Sequence, residues 1–184
     1  MGKAASGNQF LNPARILHDI GVRYGHQIAD LGCGGAGYFV FQAAKVVGDR
    51  GVSYGVDVLK HALSGLQSKI ALEGVKNVVP VWSNLERYGA TKQIRSGTLD
   101  FALIINTLFQ AHDKGMMIKE AVRMVAPKGK LVIIDWKTGG LSFGPNPSDL
   151  VSPGEVERHA QACGMHLEKT FDAGRYHFGM IFVR

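Results

Sequence analysis

Asp30-Leu31-Gly32-Cys33-Gly34-Gly35-Ala36-Gly37 is the stretch that decides how this chain is read. Its glycines permit a tight turn and let a ligand come close to the backbone. A strand pattern, Gln27–Leu31, runs into it, and a helical pattern reaching Val47 runs out of it. In a parallel sheet such a junction lies at the carboxyl ends of the strands, where a ligand crevice forms. Asp57, twenty residues beyond Gly37, follows the next strand pattern, residues 52–56. A carboxylate there can accept hydrogen bonds from both hydroxyls of a ribose.

On either side of this turn, strand-like and helix-like patterns alternate. Asn12-Pro13 predicts a helix start, with Asn as N-cap and Pro in the first turn, and Ile16, Leu17 and Ile20 on one face. Ala62, Leu63, Leu66 and Ile70 make a second helical stripe, and residues 77–81 a third strand. Leu99–Ile105 is an almost unbroken apolar run, as in a strand buried on both faces. A helix over residues 113–125 ends before Pro127-Lys128-Gly129, and residues 130–134 form the fifth strand. Ser152-Pro153-Gly154-Glu155 has the form of a capping box for another helix. The last two strands, residues 166–171 and 176–183, are separated by only residues 172–175, too few for a parallel crossover, so they pair as an antiparallel hairpin. The expectation is an α/β fold: seven strands, mostly parallel, helices on both faces, and a C-terminal antiparallel hairpin. Residues 1–184 read as one domain, with residues 1–11 as an N-terminal arm.

Bulk properties narrow the classes of function. No apolar run approaches the roughly 20 residues of a membrane span, and the first residues lack a secretory apolar stretch, so the expected location is the cytoplasm without membrane insertion. Cys33 and Cys163 stand far apart and the seven histidines show no ligand spacing; the reading includes neither a disulfide framework nor a metal site. The net charge of +6 leaves a nucleic-acid partner open, but the basic residues are scattered rather than gathered into a track.

Gly32-x-Gly34-x-x-Gly37 also fits the dinucleotide fingerprint. Three features separate the two ligands. A carboxylate at Asp30, pointing into the turn, repels a pyrophosphate and suits a ligand carrying an ammonium and a sulfonium. The chain has no second domain to hold a hydride acceptor. Its one Tyr-x-x-x-Lys pair, Tyr88 and Lys92, follows the third strand, not the fifth as in short-chain dehydrogenases.

The turn at 30–37 resembles motif I of class I S-adenosylmethionine-dependent methyltransferases. Asp57 is similar to the acid of their second motif, and residues 121–131 resemble their R-x-L-K-P-G-G-x-L stretch, with Lys130 in place of the second glycine. The flavour is that of the ubiquinone- and menaquinone-biosynthesis methyltransferases, and the resemblance implies a Rossmann-like fold with S-adenosylmethionine as cofactor. It further implies that Asp30 holds the methionine ammonium and that Gly32, Cys33, Gly34 and Gly37 form the turn around the methionine part. By the same resemblance Asp57 binds the ribose, Val58 packs on the adenine, Asn84 and Leu85 line its edge, and Asn106 contacts the methionine part. The acceptor it points to is a small molecule; an RNA or protein acceptor, or a non-catalytic or dinucleotide-binding domain, is the alternative.

Methyl transfer from a sulfonium needs a base only where the acceptor loses a proton. His112 after the fourth strand, Asp135 at the end of the fifth, and Tyr176 and His177 at the start of the last are the candidates. Each has a structural role to weigh against it: helix capping, loop ordering, or ordinary strand packing. Tyr38, Phe39 and Phe41 read as core, as do Met116, Met117 and Met124. Trp82 is a candidate to flank the adenine and Trp136 to face the acceptor. The loop after Trp136, with Phe143 at its tip, and the Phe10-Leu11-Asn12-Pro13 segment are candidate covers of the crevice.

Overall fold

In the computed structural model, which describes residues 7–138 and 144–184, β1 (Gln27–Leu31) does feed through the glycine turn into α2 (Tyr38–Val47). Before them stands α1 (Pro13–Asp19), where Asn12 Oδ1 accepts the N–H of Arg15 at 3.1 Å, as its sequence predicts. The chain continues through β2 (Val52–Asp57), α3 (Lys60–Glu73), β3 (Val78–Trp82), β4 (Leu99–Ile105), α4 (Lys114–Met124) and β5 (Val125–Trp136). It closes with α5 (Pro153–Ala162), β6 (His166–Asp172) and β7 (His177–Val183). Ser152 Oγ caps α5 by accepting from Glu155 N at 3.2 Å.

The seven strands form one sheet in the order β3-β2-β1-β4-β5-β7-β6. The first five are parallel, and β7 lies antiparallel between β5 and β6. The chain winds outward from β1 to β3, then returns to lay β4 against the other side of β1. This reversal opens a crevice between the carboxyl ends of β1 and β4.

Alternate residues of the strands feed opposite faces. Ala29 and Leu31 join a core with Ile118 of α4 and Val156 of α5, while Ile28 and Leu103 meet Leu17 of α1 and Phe39 of α2. Leu66 of α3 is fully buried, and burying such a side chain contributes about 1.5–3 kcal/mol. It fills a notch between two glycines: a Cβ on Gly37 or on Gly55 would come within 2.5 Å of it.

One boundary differs from the sequence expectation. The fifth strand begins at Val125, directly after α4, not at Lys130. Pro127-Lys128-Gly129 forms an irregularity within the strand rather than a turn before it: Leu99 pairs with Val125, yet Phe101 pairs with Lys130. Lys128 takes φ 67°, and a Cβ on Gly129 would lie 2.7 Å from the carbonyl oxygen of Leu99. Phe143 lies outside the described residues.

Candidate active site

A cleft of about 570 Å3 opens at the carboxyl ends of β1, β2 and β4. Its floor is the backbone of residues 32–36, and its sides are residues 57–59, 83–86 and 105–107. The turn is pinned to the neighbouring strand, because the N–H groups of Gly32 and Cys33 both donate to Val56 O, at 2.8 and 3.1 Å. Gly32 is required twice over: its φ is 93°, and a Cβ would meet Thr107 Cγ2 at 2.3 Å. At Gly34, φ 62°, a Cβ would meet nothing, so the turn presents bare backbone to open space.

Asp57 is buried at the end of β2. Its Oδ2 accepts from Gly34 N at 2.9 Å and its Oδ1 from Leu59 N at 2.8 Å. Each oxygen therefore keeps a second lone pair for a ligand hydroxyl. Asp30 sits beneath the turn, outside the cleft lining and 3% exposed, and its Oδ2 has no hydrogen-bond partner. Burial, with a smaller contribution from the negative charge of Asp57, pushes the Asp30 carboxyl up to about 7. A buried acid left in this state is destabilising unless something answers it, and one positive group within reach would do so. Cys33 borders the cleft but is 2% exposed, with its sulfur packed towards Gly55, and burial pushes its thiol up, away from nucleophilic character. Gly37 does not line the cleft: it is the N-cap of α2, φ 55°, packed on Leu66.

The outer side of the cleft is formed by Val58, half exposed, and by Asn84 and Leu85. Asn84 Oδ1 accepts from Glu86 N at 2.9 Å, which shapes the loop that follows β3. Trp82, expected against the ligand, is exposed outside the lining and instead donates its indole N–H to Val58 O at 2.9 Å. On the inner side Asn106 ends β4 with φ 53°, a strained conformation for a side-chain-bearing residue. Its Nδ2 donates to Asn8 Oδ1 at 2.8 Å, while its own Oδ1 is buried without a partner. The sequence assigns no role to Asn8, Thr107 and Gln110, all of which line the cleft, as does Tyr38. Tyr38, assigned to the core, is instead exposed on the first turn of α2, whereas Phe39 and Phe41 are buried. Met117 belongs to the core as expected and also borders the cleft.

None of the four candidate bases borders the cleft. His112 is exposed in a neighbouring depression with Lys114 and Asp149. Asp135 is fully buried, and its oxygens accept from Leu108 N at 3.1 Å and Trp136 N at 2.8 Å. It ties the loop after β4 to β5; burial raises its carboxyl to about 6 in spite of those bonds. Tyr176 is half buried against the ring of Phe10, and His177 is fully buried against Trp136, itself only 1% exposed. Among the described residues no cluster of three or more His, Cys, Asp or Glu could hold a metal ion, and no helix is long and apolar enough to cross a membrane.

A family profile described as a methyltransferase domain matches residues 23–170. A SAM-dependent methyltransferase from Aquifex aeolicus is similar over 97% of this chain and 92% of its own, at 26% identity and TM-score 0.85. The fold is shared with an arsenic(III) S-adenosylmethionine methyltransferase from Chlamydomonas reinhardtii, at 20% identity, TM-score 0.66, and 89% and 64% coverage of the two chains. It is shared also with Aeropyrum pernix fibrillarin, solved with natively bound S-adenosyl-L-methionine, at 14% identity, TM-score 0.68, and 88% and 68% coverage. No curated protein sequence matches the chain.

Proposed function

Because the chain belongs to the S-adenosylmethionine-dependent methyltransferase family, we propose that it transfers a methyl group to a small-molecule acceptor by in-line displacement. The observation that carries the reading is the unanswered Asp30 carboxylate beneath a bare glycine turn. It fits a cationic amino-acid head and would oppose a diphosphate. When bound, the cofactor supplies a methyl on a sulfonium, already electrophilic, so that no covalent enzyme intermediate is needed.

The residues of the chain divide the work of holding it. Asp30 takes the ammonium, directly or through a water, and Gly32, Cys33 and Gly34 offer backbone to the methionine part. Asp57 receives the ribose hydroxyls on its two remaining lone pairs. Val58, braced by Trp82, covers the adenine, with Asn84 and Leu85 at its edge. Asn106 faces the methionine part, its side chain held by Asn8 and its carbonyl by Gln110. The protein contributes mainly proximity and alignment, worth up to about 7–11 kcal/mol in ideal cases.

A small acceptor is favoured by the scatter of the charge. Arg23, His26 and Lys128 line a pocket at the amino ends of β1, β4 and β5, while Lys69 Nζ donates to Ala36 O in the cleft lining and Lys114 borders the neighbouring depression. A nucleic-acid track would gather such cations along one edge.

Calorimetry with S-adenosylmethionine, S-adenosylhomocysteine and NADH tests the reading. Binding of the first two and none of NADH is expected, with Asp57→Ala weakening S-adenosylmethionine by about 1–3 kcal/mol. Tight NADH binding without a response to the sulfonium ligand would overturn it.

A further inference from the structure

The edge of the sheet opposite the cofactor cleft carries a cavity of its own, of about 330 Å3, at the amino ends of β1, β4 and β5. Its walls come from the loop that enters β1, from Asp100 and Phe101 of β4, and from the irregularity Pro127-Lys128-Gly129 of β5. These segments meet because β1, β4 and β5 are neighbours in the sheet. Gln27 N donates to Asp100 Oδ2 at 2.7 Å, which ties the loop to β4, and Phe101 pairs with Lys130 of β5. The volume is within the range of small-ligand sites. The seven residues of β4, about 20 Å at the usual rise of a strand, part this cavity from the cleft.

Its donors are unspent. Arg23 N donates to Nδ1 of His26 at 3.0 Å, which leaves the ring proton on Nε2. The ring lies 5.4 Å from that of Phe101, so its direction is held from two sides. Among the described residues no bond or ion pair engages this Nε2–H, the Arg23 guanidinium or the Lys128 ammonium, whereas Lys130 is taken by Glu168 at 2.7 Å. Lys128 also stands there at a cost. The positive φ of 67° falls on it although a glycine, Gly129, is the next residue. A long side chain at such an angle is uncommon, and strain of this kind gathers at functional sites.

We propose that this cavity is a second binding site, separate from the cofactor cleft, for a small phosphate monoester that carries a hydroxyl. Two cations and a ring N–H line it with no partner of their own, and a phosphoryl group supplies acceptor oxygens to all three. The Arg23 guanidinium can take two of those oxygens side by side, while Lys128 meets the charge as a point. Asp100 sets the second requirement. Its Oδ2 is held by Gln27 N, but its Oδ1 has no partner among the described residues and repels a ligand that offers acceptors alone. A hydroxyl on the ligand can donate to that oxygen. Ile20, Phe101 and Pro127 give the lining an apolar part, against which a short carbon chain can lie.

The test is calorimetry on the full chain at fixed ionic strength, with glycerol 3-phosphate, ethyl phosphate and glycerol as probes. Glycerol 3-phosphate should bind about threefold or more tighter than ethyl phosphate, and glycerol should give no signal. Arg23→Gln and Lys128→Gly, both at exposed positions, should each cost glycerol 3-phosphate about tenfold. Lys128→Gly should at the same time raise the urea midpoint, because glycine takes this φ without strain. A fall in affinity joined to a gain in stability is not what a merely structural lysine would give. Asp100→Asn can still accept from Gln27 N, and it should abolish the preference for glycerol 3-phosphate over ethyl phosphate. S-Adenosylhomocysteine and glycerol 3-phosphate should bind without competing. Equal glycerol 3-phosphate affinity in the wild type and both cation variants would overturn the site, as would competition with S-adenosylhomocysteine. Ethyl phosphate binding the wild type as tightly as glycerol 3-phosphate would overturn the part given to Asp100.

Discussion

Glu120, wholly buried beneath the loop between β3 and β4, receives four N–H donors, whereas Asp30, 3% exposed at the end of β1, has a carboxylate oxygen that receives none. The donors to Glu120 are the backbone of Gly89 and Thr91, at 2.7 and 3.0 Å, and Arg123 through Nε and Nη2, each at 2.9 Å. Arg123 also reaches Thr91 O, Ile94 O and Ser96 Oγ, so that the pair staples residues 89–96 onto α4. Burial raises the Glu120 carboxyl, but the bonds from Arg123 and the backbone outweigh it, and the net shift is downward. Around Asp30 nothing opposes burial, and the shift is upward. The contrast separates a finished structural site from one that a ligand would complete, though both acids are buried.

The largest effect is expected from breaking the finished site. Glu120→Ala leaves the Arg123 guanidinium, whose side chain is 10% exposed, without its partner and strands the N–H groups of Gly89 and Thr91. Removing one member of such a buried pair costs about 3–5 kcal/mol, readable as a lowered urea midpoint. A loss below about 1 kcal/mol would mean that water takes over all four bonds and that the staple is not a buried unit.

The pH dependence of stability should have opposite signs at the two sites. Glu120, its carboxyl lowered, contributes stability that is present above its ordinary range and lost on acidification. For Asp30, raised from 3.8 to about 7, the folded state holds the proton that the unfolded chain gives up, so stability is complete below about 4 and declines as the pH rises through 7. At 1.36 kcal/mol per unit this is on the order of 2–4 kcal/mol once local relaxation is allowed for. Comparing Asp30→Asn with the wild type from pH 4 to 8 isolates it: the ligand-free variant should be the more stable at pH 8, and the advantage should shrink towards pH 4. S-Adenosylmethionine, whose ammonium favours the ionised acid, should stabilise the wild type more at pH 8 than at pH 5. Parallel profiles for the two proteins would show that Asp30 is not the strained group described here.

These two acids also mark how far the sequence could be read. Asp30 stands in a contiguous motif, where residue spacing alone dictates a strand, a turn and a helix, and the cofactor side of the cleft follows from it. Glu120 carries no such signal, because its backbone donors come from a loop some thirty residues away with no regular pattern. The inner side of the cleft is harder still: Asn8 and Asn106, bonded to each other there, stand 98 residues apart in the sequence. The β5 boundary was misplaced because Pro-Lys-Gly signals a turn, while the pull of β4 pairing carries the strand back through it as an irregularity. His112, at the end of a strand by count, is carried out of the cleft by the short turn Leu108–Gln110 that precedes it.

The smallest effect sharpens the boundary between the two sites. Thr91 is fully buried, and its Oγ1 lies 2.9 Å from Oγ of Ser83, the residue beside Asn84 at the cleft edge. Thr91→Val keeps the shape and the backbone bonds to Glu120 and Arg123, yet leaves the buried Ser83 hydroxyl without that partner. The expected loss is about 1–2 kcal/mol in a urea titration. S-Adenosylmethionine affinity should change less than about twofold, because the turn at Asn84 is held by its own bond to Glu86 N and a neighbouring side chain adds little to it. A tenfold fall in cofactor affinity would instead join the staple to the cradle. The contrast between the two acids would then describe one cooperative site, with Glu120 acting on the ligand through the loop it holds.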